Sequence, residues 1–270
     1  MLSAKDIETY RKEGVVCLRD LFDSSWVELL KLGIERNLKH PGPNARHYNA
    51  GRDTGFYFAD AGVWRDIPQS RQFLFDSPAA SIASELMGST KVNLFFDNMF
   101  IKGAKTPEIT PWHHDMPYMP ISGDQVCSLW LALGEVPLEN SVEYIAGSHR
   151  WGKQYRPRNF FESDADYARD EFDDDNLEPI PDFHAMRDQL TLRRWAMKPG
   201  DVQAFHGYTV HGSPGNSTSS RRRAFVSRWC GDDVVYEWKG PETYPVFEDC
   251  GLALGDVLDS ETFPVVLQRD

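Results

Sequence analysis

Hydrophobic positions along this chain change their spacing near residue 90. Before it, helical spacing dominates. Trp26, Leu29, Leu30 and Ile34 share one face of a helix expected over 24–38, closed by Pro41-Gly42. A shorter helix is expected over 6–13, stopped by Gly14. Another is expected over 78–87, with Ser77 as its cap, Pro78 at its first position and Gly88 at its end. Residues 15–18 read as a strand, and the Gly- and Asp-rich stretch 43–66 as mostly loop. After residue 90, short apolar and aromatic runs separated by turn residues predict strands over 91–102, 112–118, 125–133, 142–145, 190–197, 202–205 and 221–229. Helices first, then many short strands, point to a β-sandwich or jelly roll carrying N-terminal helices.

The strand pattern stops between 149 and 182. This segment holds two acidic clusters, 162–166 and 170–175, which read as a solvated loop. Long irregular excursions from compact domains often serve as lids or binding loops, and a lid is the expectation here. Trp151, Tyr155, Phe160 and Phe161 would supply its apolar underside. The expected organisation is a single domain over 1–270. It has a helical part at 1–90, a jelly-roll core at 91–238 interrupted by the insertion 150–182, and a tail at 239–270.

Two segments carry candidate chemistry. In Trp112-His113-His114-Asp115, residues two apart on an extended strand share a face, so His113 and Asp115 would act together while His114 points away. His211, at a turn before the strand 221–229, can supply a third donor. Two imidazoles and a carboxylate with open positions form the facial triad of non-haem Fe(II) oxygenases. Arg222 returns on the next strand, and its planar fork suits a carboxylate. Arg228 shares its parity and would meet either an anionic substrate group or a surface partner.

Charge and cysteines narrow the function classes. Net charge is -12, and an acidic surface repels phosphate backbones, so nucleic-acid binding is not expected. Mean hydropathy of -0.50 and the lack of a long apolar run argue against a membrane span. The start lacks a signal-peptide pattern. Four scattered Cys read as reduced thiols, so a cytoplasmic location is expected. Oligomeric state has no signal.

The ordered set Lys102, Trp112-His113-x-Asp115, Tyr118, Trp130, Gly147-Ser148-His149, Gly200-Asp201, His211-Gly212-Ser213-x-x-Asn216 and Arg222 resembles the phytanoyl-CoA hydroxylase family of Fe(II)/2-oxoglutarate dioxygenases. The resemblance implies a mainly β fold, a double-stranded β-helix (jelly-roll, cupin-like) core with N-terminal helices packed on it. It implies Fe(II) on His113, Asp115 and His211, 2-oxoglutarate gripped by Arg222, and O2 as oxidant. By position, Asn98 and Trp130 match cosubstrate-pocket residues. Tyr118 and Arg228 are candidate substrate contacts, although Tyr118 and Trp130 read equally as aromatic core. Three positions differ from the family's usual pattern: His114 stands where Gln is usual, Ser141 where Gly is usual, and Arg221 and Arg223 flank the expected Arg. The implied reaction hydroxylates a C–H bond of a small molecule and releases succinate and CO2. The alternatives are desaturation or epimerisation at the same site, a metal-dependent isomerase or hydrolase, and a cupin-like binding protein that retains metal without catalysis.

Overall fold

A computed structural model describes residues 2–47, 55–156, 177–239 and 249–269. Four helices precede most of the strands: α1 (Ala4–Glu13), α2 (Ser24–Lys39), α3 (Pro68–Asp76) and α4 (Ala79–Met87). Their ends follow local chemistry. Ser3 and Asp6 form a reciprocal capping box on α1, and Asp23 accepts from Ser25 and Trp26 to cap α2. Gly14 ends α1 at φ 76°, where L residues are strained. A Cβ there would also lie 2.3 Å from His149 Nδ1. Glycine thus lets the helix end dock on the loop after β10, where its carbonyl accepts from His206 N and Thr209 Oγ1.

The strands are β1 (Val15–Leu18), β2 (Arg46–His47), β3 (Tyr57–Ala61), β4 (Lys91–Lys102), β5 (Thr110–His113), β6 (Ile121–Ser122), β7 (Val126–Ala132), β8 (Glu143–Ile145), β9 (Leu192–Arg193), β10 (Val202–His206), β11 (His211–Ser213), β12 (Arg222–Cys230), β13 (Val235–Tyr236) and β14 (Val265–Gln268). The large antiparallel sheet runs β1-β10-β7-β12-β4-β3-β2, with β14 also on β4. The small sheet runs β5-β11-β8-β9. The chain passes between the sheets repeatedly: β4 to β5, β7 to β8, β10 to β11 and on to β12. That winding is the double-stranded β-helix the resemblance implies.

The large sheet is covered on both faces. Its outer face places Met99, Ile101, Leu129, Leu131 and Phe225 against α2–α4, with Phe73 of α3 edge-on to Phe225 at 5.3 Å. Its inner face places Phe100, Trp130, Ala132, Ala224 and Val226 toward Tyr144 of the small sheet. Burial on both sides makes these strands nearly continuous apolar runs rather than strict alternations.

Several expectations change. Within 43–66, read as mostly loop, the described residues include a strand: β3 is buried throughout, and Asp60 inside it accepts from Asn37 at 2.7 Å and Gly42 N at 2.8 Å. Those distant partners make a strand from a segment whose Asp and Ala disfavour one. Helix α3 was not foreseen; its signals were Pro68 at the first position and a weak apolar stripe. The strand expected over 190–197 shrinks to Leu192–Arg193. The tail contributes β14, paired with the start of β4. Residues 157–176, with Phe160 and Phe161, fall outside the described residues, so the lid expectation is not addressed. The base of the insertion is packed: Tyr155 is buried and Arg156 N donates to the carbonyl of Glu178 at 2.8 Å. No described helix is long and apolar enough to cross a membrane.

Candidate metal centre

The register of β5 on β11 sets His211 directly opposite His113. Residues so paired have Cβ atoms about 5 Å apart, and these rings lie 4.2 Å apart, centroid to centroid. His113 Nδ1 donates to the Pro111 carbonyl at 2.8 Å, and His211 Nδ1 donates to the Thr209 carbonyl at 2.9 Å. A ring that donates through Nδ1 and carries no second proton keeps a lone pair on Nε2. Burial, with His113 adding, pushes His211 down to about 3 and keeps it neutral.

Asp115 joins them by a route that corrects strand parity. The strand ends at His113, and Asp115 is in helical conformation at φ -72°, ψ -35°, opening a 3-10 turn over Met116–Tyr118. The N–H groups of Asp115 and Met116 both donate to the Gly207 carbonyl, at 3.0 and 3.3 Å. A Cβ on Gly207 would meet Met116 Sδ at 2.9 Å, so glycine permits this close docking. The turn aims Asp115 Oδ1 between the histidines, 3.6 Å from His113 Nε2 and 3.8 Å from His211 Nε2. Burial alone would raise this carboxyl. The Arg228 guanidinium and the two imidazoles outweigh burial and hold it far below the usual carboxylate range.

One donor atom from each of His113, Asp115 and His211 lies within 4.8 Å of the others, and all three residues are buried. Neutral imidazoles oriented by backbone carbonyls, with an ionised carboxylate, fit a divalent transition-metal ion. His114 is outside this cluster. It is buried against Tyr155 and Tyr208, and its Nε2 accepts from Tyr155 N at 2.9 Å. Burial, with His113 adding, lowers it to about 4, in keeping with a neutral acceptor. It therefore ties the metal-site strand to the base of the insertion.

Two cations lie beside the cluster. Arg222 and Lys102 are buried, paired in register across β12 and β4, and both donate to Ser213 Oγ at 3.2 Å. Ser213 is two residues from His211 on β11, about 7 Å along the strand and on the same face. Arg222 also donates to the Asn140 carbonyl, and Lys102 to the carbonyls of Glu108 and Pro214. These acceptors are all neutral, and among the described residues Arg222 has no carboxylate partner. Burial pulls Arg222 down to about 10. Burial, then the neighbouring Arg222, pulls Lys102 well below its ordinary value. The flanking Arg221 and Arg223 face the helices, each 3.7 Å from Glu35 of α2. Their parity is opposite to that of Arg222.

Arg228 points inward like Arg222, but it is neither exposed nor unpartnered. Its Nε donates to Asp115 Oδ2 at 3.0 Å and its NH1 to Asn98 Oδ1 at 2.5 Å. The alternative of a surface salt bridge is therefore corrected: this ion pair is buried. Asn98 Nδ2 donates to the Asp60 carbonyl at 3.3 Å, so each polar atom of that side chain has a protein partner. Trp130 lies in the apolar layer between the sheets, and Tyr118 stands edge-on to His113 at 6.0 Å. Ser128, which the sequence reading missed, donates to Asp115 Oδ2 at 3.4 Å. Its signal was parity: it is two residues before Trp130 on β7 and faces the same side.

Comparison with known proteins places the fold and the family. Solved structures with the same fold include the non-heme alpha ketoglutarate dependent carbocyclase SnoK from nogalamycin biosynthesis. It is 22% identical, with TM-score 0.76, over 98% of this chain and 96% of that one. The epimerase SnoN, in complex with Fe3+, alpha ketoglutarate and nogalamycin RO, is 21% identical, with TM-score 0.76, over 97% of each chain. A probable phytanoyl-CoA dioxygenase of Caenorhabditis elegans is 25% identical over 57% of this chain, and a phytanoyl-CoA dioxygenase of Arabidopsis thaliana is 26% identical over 65%. The chain spans 48% and 60% of the lengths of those two relatives. The family model for phytanoyl-CoA dioxygenase (PhyH) matches residues 10–224, from α1 to the inward face of β12, and on that match the chain belongs to the phytanoyl-CoA dioxygenase family.

Proposed function

We propose that this protein is an Fe(II)- and 2-oxoglutarate-dependent oxygenase acting on a C–H bond of a small molecule. The observation that carries the reading is a juxtaposition. A buried His-Asp-His donor set lies one strand step from a buried Arg-Lys pair whose acceptors are neutral. Burying a cation without a counter-charge costs several kcal/mol. Among the described residues Arg222 has none, while the Glu108 carboxylate partly supports Lys102, so Arg222 above all fits an anionic ligand brought from outside. A keto diacid that chelates a metal at one end and presents a carboxylate at the other satisfies both halves.

In this reading His113 Nε2, His211 Nε2 and Asp115 Oδ1 hold the iron. Arg222 and Lys102 hold the distal carboxylate of 2-oxoglutarate, with Ser213 fixing both cations. Iron and 2-oxoglutarate together supply the power to reduce O2 and oxidise the substrate, leaving succinate and CO2. The chain's own part is to orient these groups and exclude water, which the burial of all five side chains serves. Trp130 serves as an apolar wall of the cosubstrate pocket and Tyr118 as a wall near His113 on the substrate side. The four Cys are unpaired, in keeping with a cytoplasmic setting.

Hydroxylation is the preferred outcome. Ring closure or epimerisation is the second reading, favoured by the similarity to a carbocyclase and an epimerase that share the fold. Anaerobic titration tests the core of the proposal. Fe(II) followed by 2-oxoglutarate is expected to give a weak visible charge-transfer band, and a metabolite screen for succinate release then identifies the substrate. Metal binding with no band on adding 2-oxoglutarate would instead identify a metal-retaining binding protein.

A further inference from the structure

We propose that Arg228 is a positioning residue that, with Ser128, holds Asp115 as a one-oxygen metal ligand. The inference rests on the assignment of His113, Asp115 and His211 as ligands. The two carboxylate oxygens of Asp115 have separate environments. Oδ1 faces the Nε2 atoms of both histidines at 3.6 and 3.8 Å. Oδ2 is turned from them and accepts from Arg228 Nε at 3.0 Å and Ser128 Oγ at 3.4 Å. Carboxylates bind metal ions through one oxygen or two. Here the second oxygen is occupied by a charge-assisted hydrogen bond, the stronger kind.

The guanidinium is itself fixed on several sides. NH1 donates to Asn98 Oδ1, and the charged carbon lies 4.5 Å from the centre of the Phe96 ring. Asn98 and Phe96 are two apart on β4, and Arg228 pairs with Phe96 in register. Asn98 therefore acts through Arg228 rather than through a ligand. The consequence is a count of open positions. A triad that uses one carboxylate oxygen leaves three sites of a six-coordinate ion, enough for a chelating keto acid and O2. If Oδ2 swung in, one of the three would be lost. The cation also offsets the negative charge that Asp115 would present to an incoming dianion.

The test uses the full chain and the metal alone before any turnover. Mn(II) affinity is read by electron paramagnetic resonance for wild type, Arg228→Gln, Arg228→Lys, Ser128→Ala, Arg221→Ala and Asp115→Ala, with circular dichroism reporting the fold. Co(II) absorption, with and without 2-oxoglutarate, reports coordination. Arg228→Gln and Arg228→Lys are expected to weaken Mn(II) binding by about 10–100-fold, the usual cost of losing a ligand's supporting partner. Both are also expected to change the Co(II) spectrum. Lys fails because a point charge does not reproduce the two-pronged donation. Ser128→Ala is expected to give a smaller loss in the same direction, and Arg221→Ala none. Asp115→Ala loses binding.

Wild-type affinity and spectrum in a folded Arg228→Gln would overturn the proposal, as would full affinity in Arg228→Lys. If Arg228→Gln does not fold, Arg228→Lys and Ser128→Ala decide on the same criteria. Retained affinity in the Arg228 variants alone removes this inference. Retained affinity in Asp115→Ala removes the ligand assignment and this inference with it.

Discussion

Arg222 and Arg228 stand on the same face of the same strand, about 20 Å apart along it, and both are buried. Arg228 meets a carboxylate of its own chain. Arg222 meets a hydroxyl, a carbonyl and a second cation. On the proposed function, the difference separates scaffold from binding site. A buried ion pair completed within the chain is part of the fold, and breaking one side of it leaves the other charge stranded. A buried cation with only neutral partners is a standing cost that a ligand relieves. The metal cluster lies between these two situations, with Asp115 tied to one arginine and Ser213, beside His211, tied to the other.

The comparison presupposes a metal between the arginines, and removing that gives the largest effect. His113→Ala, Asp115→Ala and His211→Ala are each expected to abolish iron binding and succinate production. His114→Ala is expected to retain much of both, since that ring faces Tyr155. Iron content measured on the four variants decides, and equal loss in His114→Ala would displace the cluster. Next is stability. Arg228→Ala is expected to cost about 3–5 kcal/mol in the metal-free protein, because Asp115 is left buried without its cation. Arg222→Ala is expected to leave the melting temperature unchanged or higher. Equal losses in thermal unfolding would erase the contrast between the two arginines.

Ligand binding sharpens the contrast from the other side. Arg222→Ala is expected to weaken 2-oxoglutarate binding to the metal-loaded protein by about 2–5 kcal/mol. Arg221→Ala and Arg223→Ala should change it by under about 0.5 kcal/mol. Isothermal titration of the three variants measures this, and similar losses in all three would break the assignment of Arg222.

Another buried ionisable group, Asp97, has no cation partner among the described residues. Burial pushes its carboxyl up to about 7, against donation from Trp64 N and with Asp60 adding repulsion. The folded value lies above the ordinary value near 4, so the folded state binds the extra proton and stability falls as pH rises from about 4 to 7. Asp97→Asn keeps an acceptor for Trp64 and is expected to remove that slope, gaining up to about 4 kcal/mol at neutral pH. Urea midpoints at pH 5 and pH 8 check it, and an undiminished slope in the variant would reject the assignment.

Local signals were read well where their chemistry is local. The Gly14 and Gly88 stops and the apolar stripe of α2 all recur in the structure. So does β4 over its full length. Segments whose state is set by remote partners were missed: β3 needs Asn37 for Asp60, and β14 needs the edge of β4. The metal cluster shows both cases. Its three residues were legible as types and in order, but the route was not. Parity expected one strand through Asp115, whereas the chain turns after His113 and docks on Gly207.

Residue identity and order already carried the donors, the cation after His211 and the alternation that turns Arg222 inward and its neighbours out, because side-chain direction along a strand is a property of neighbouring residues. Which charges find partners was decided by the tertiary structure alone. Arg228 reaches Asp115 across 113 residues of sequence and Asn98 across 130. The register of β12 on β4 and β7, set by apolar packing on both faces of the large sheet, gave Arg228 a carboxylate and left Arg222 without one. No local pattern encodes a distance that depends on how two sheets close over a common core.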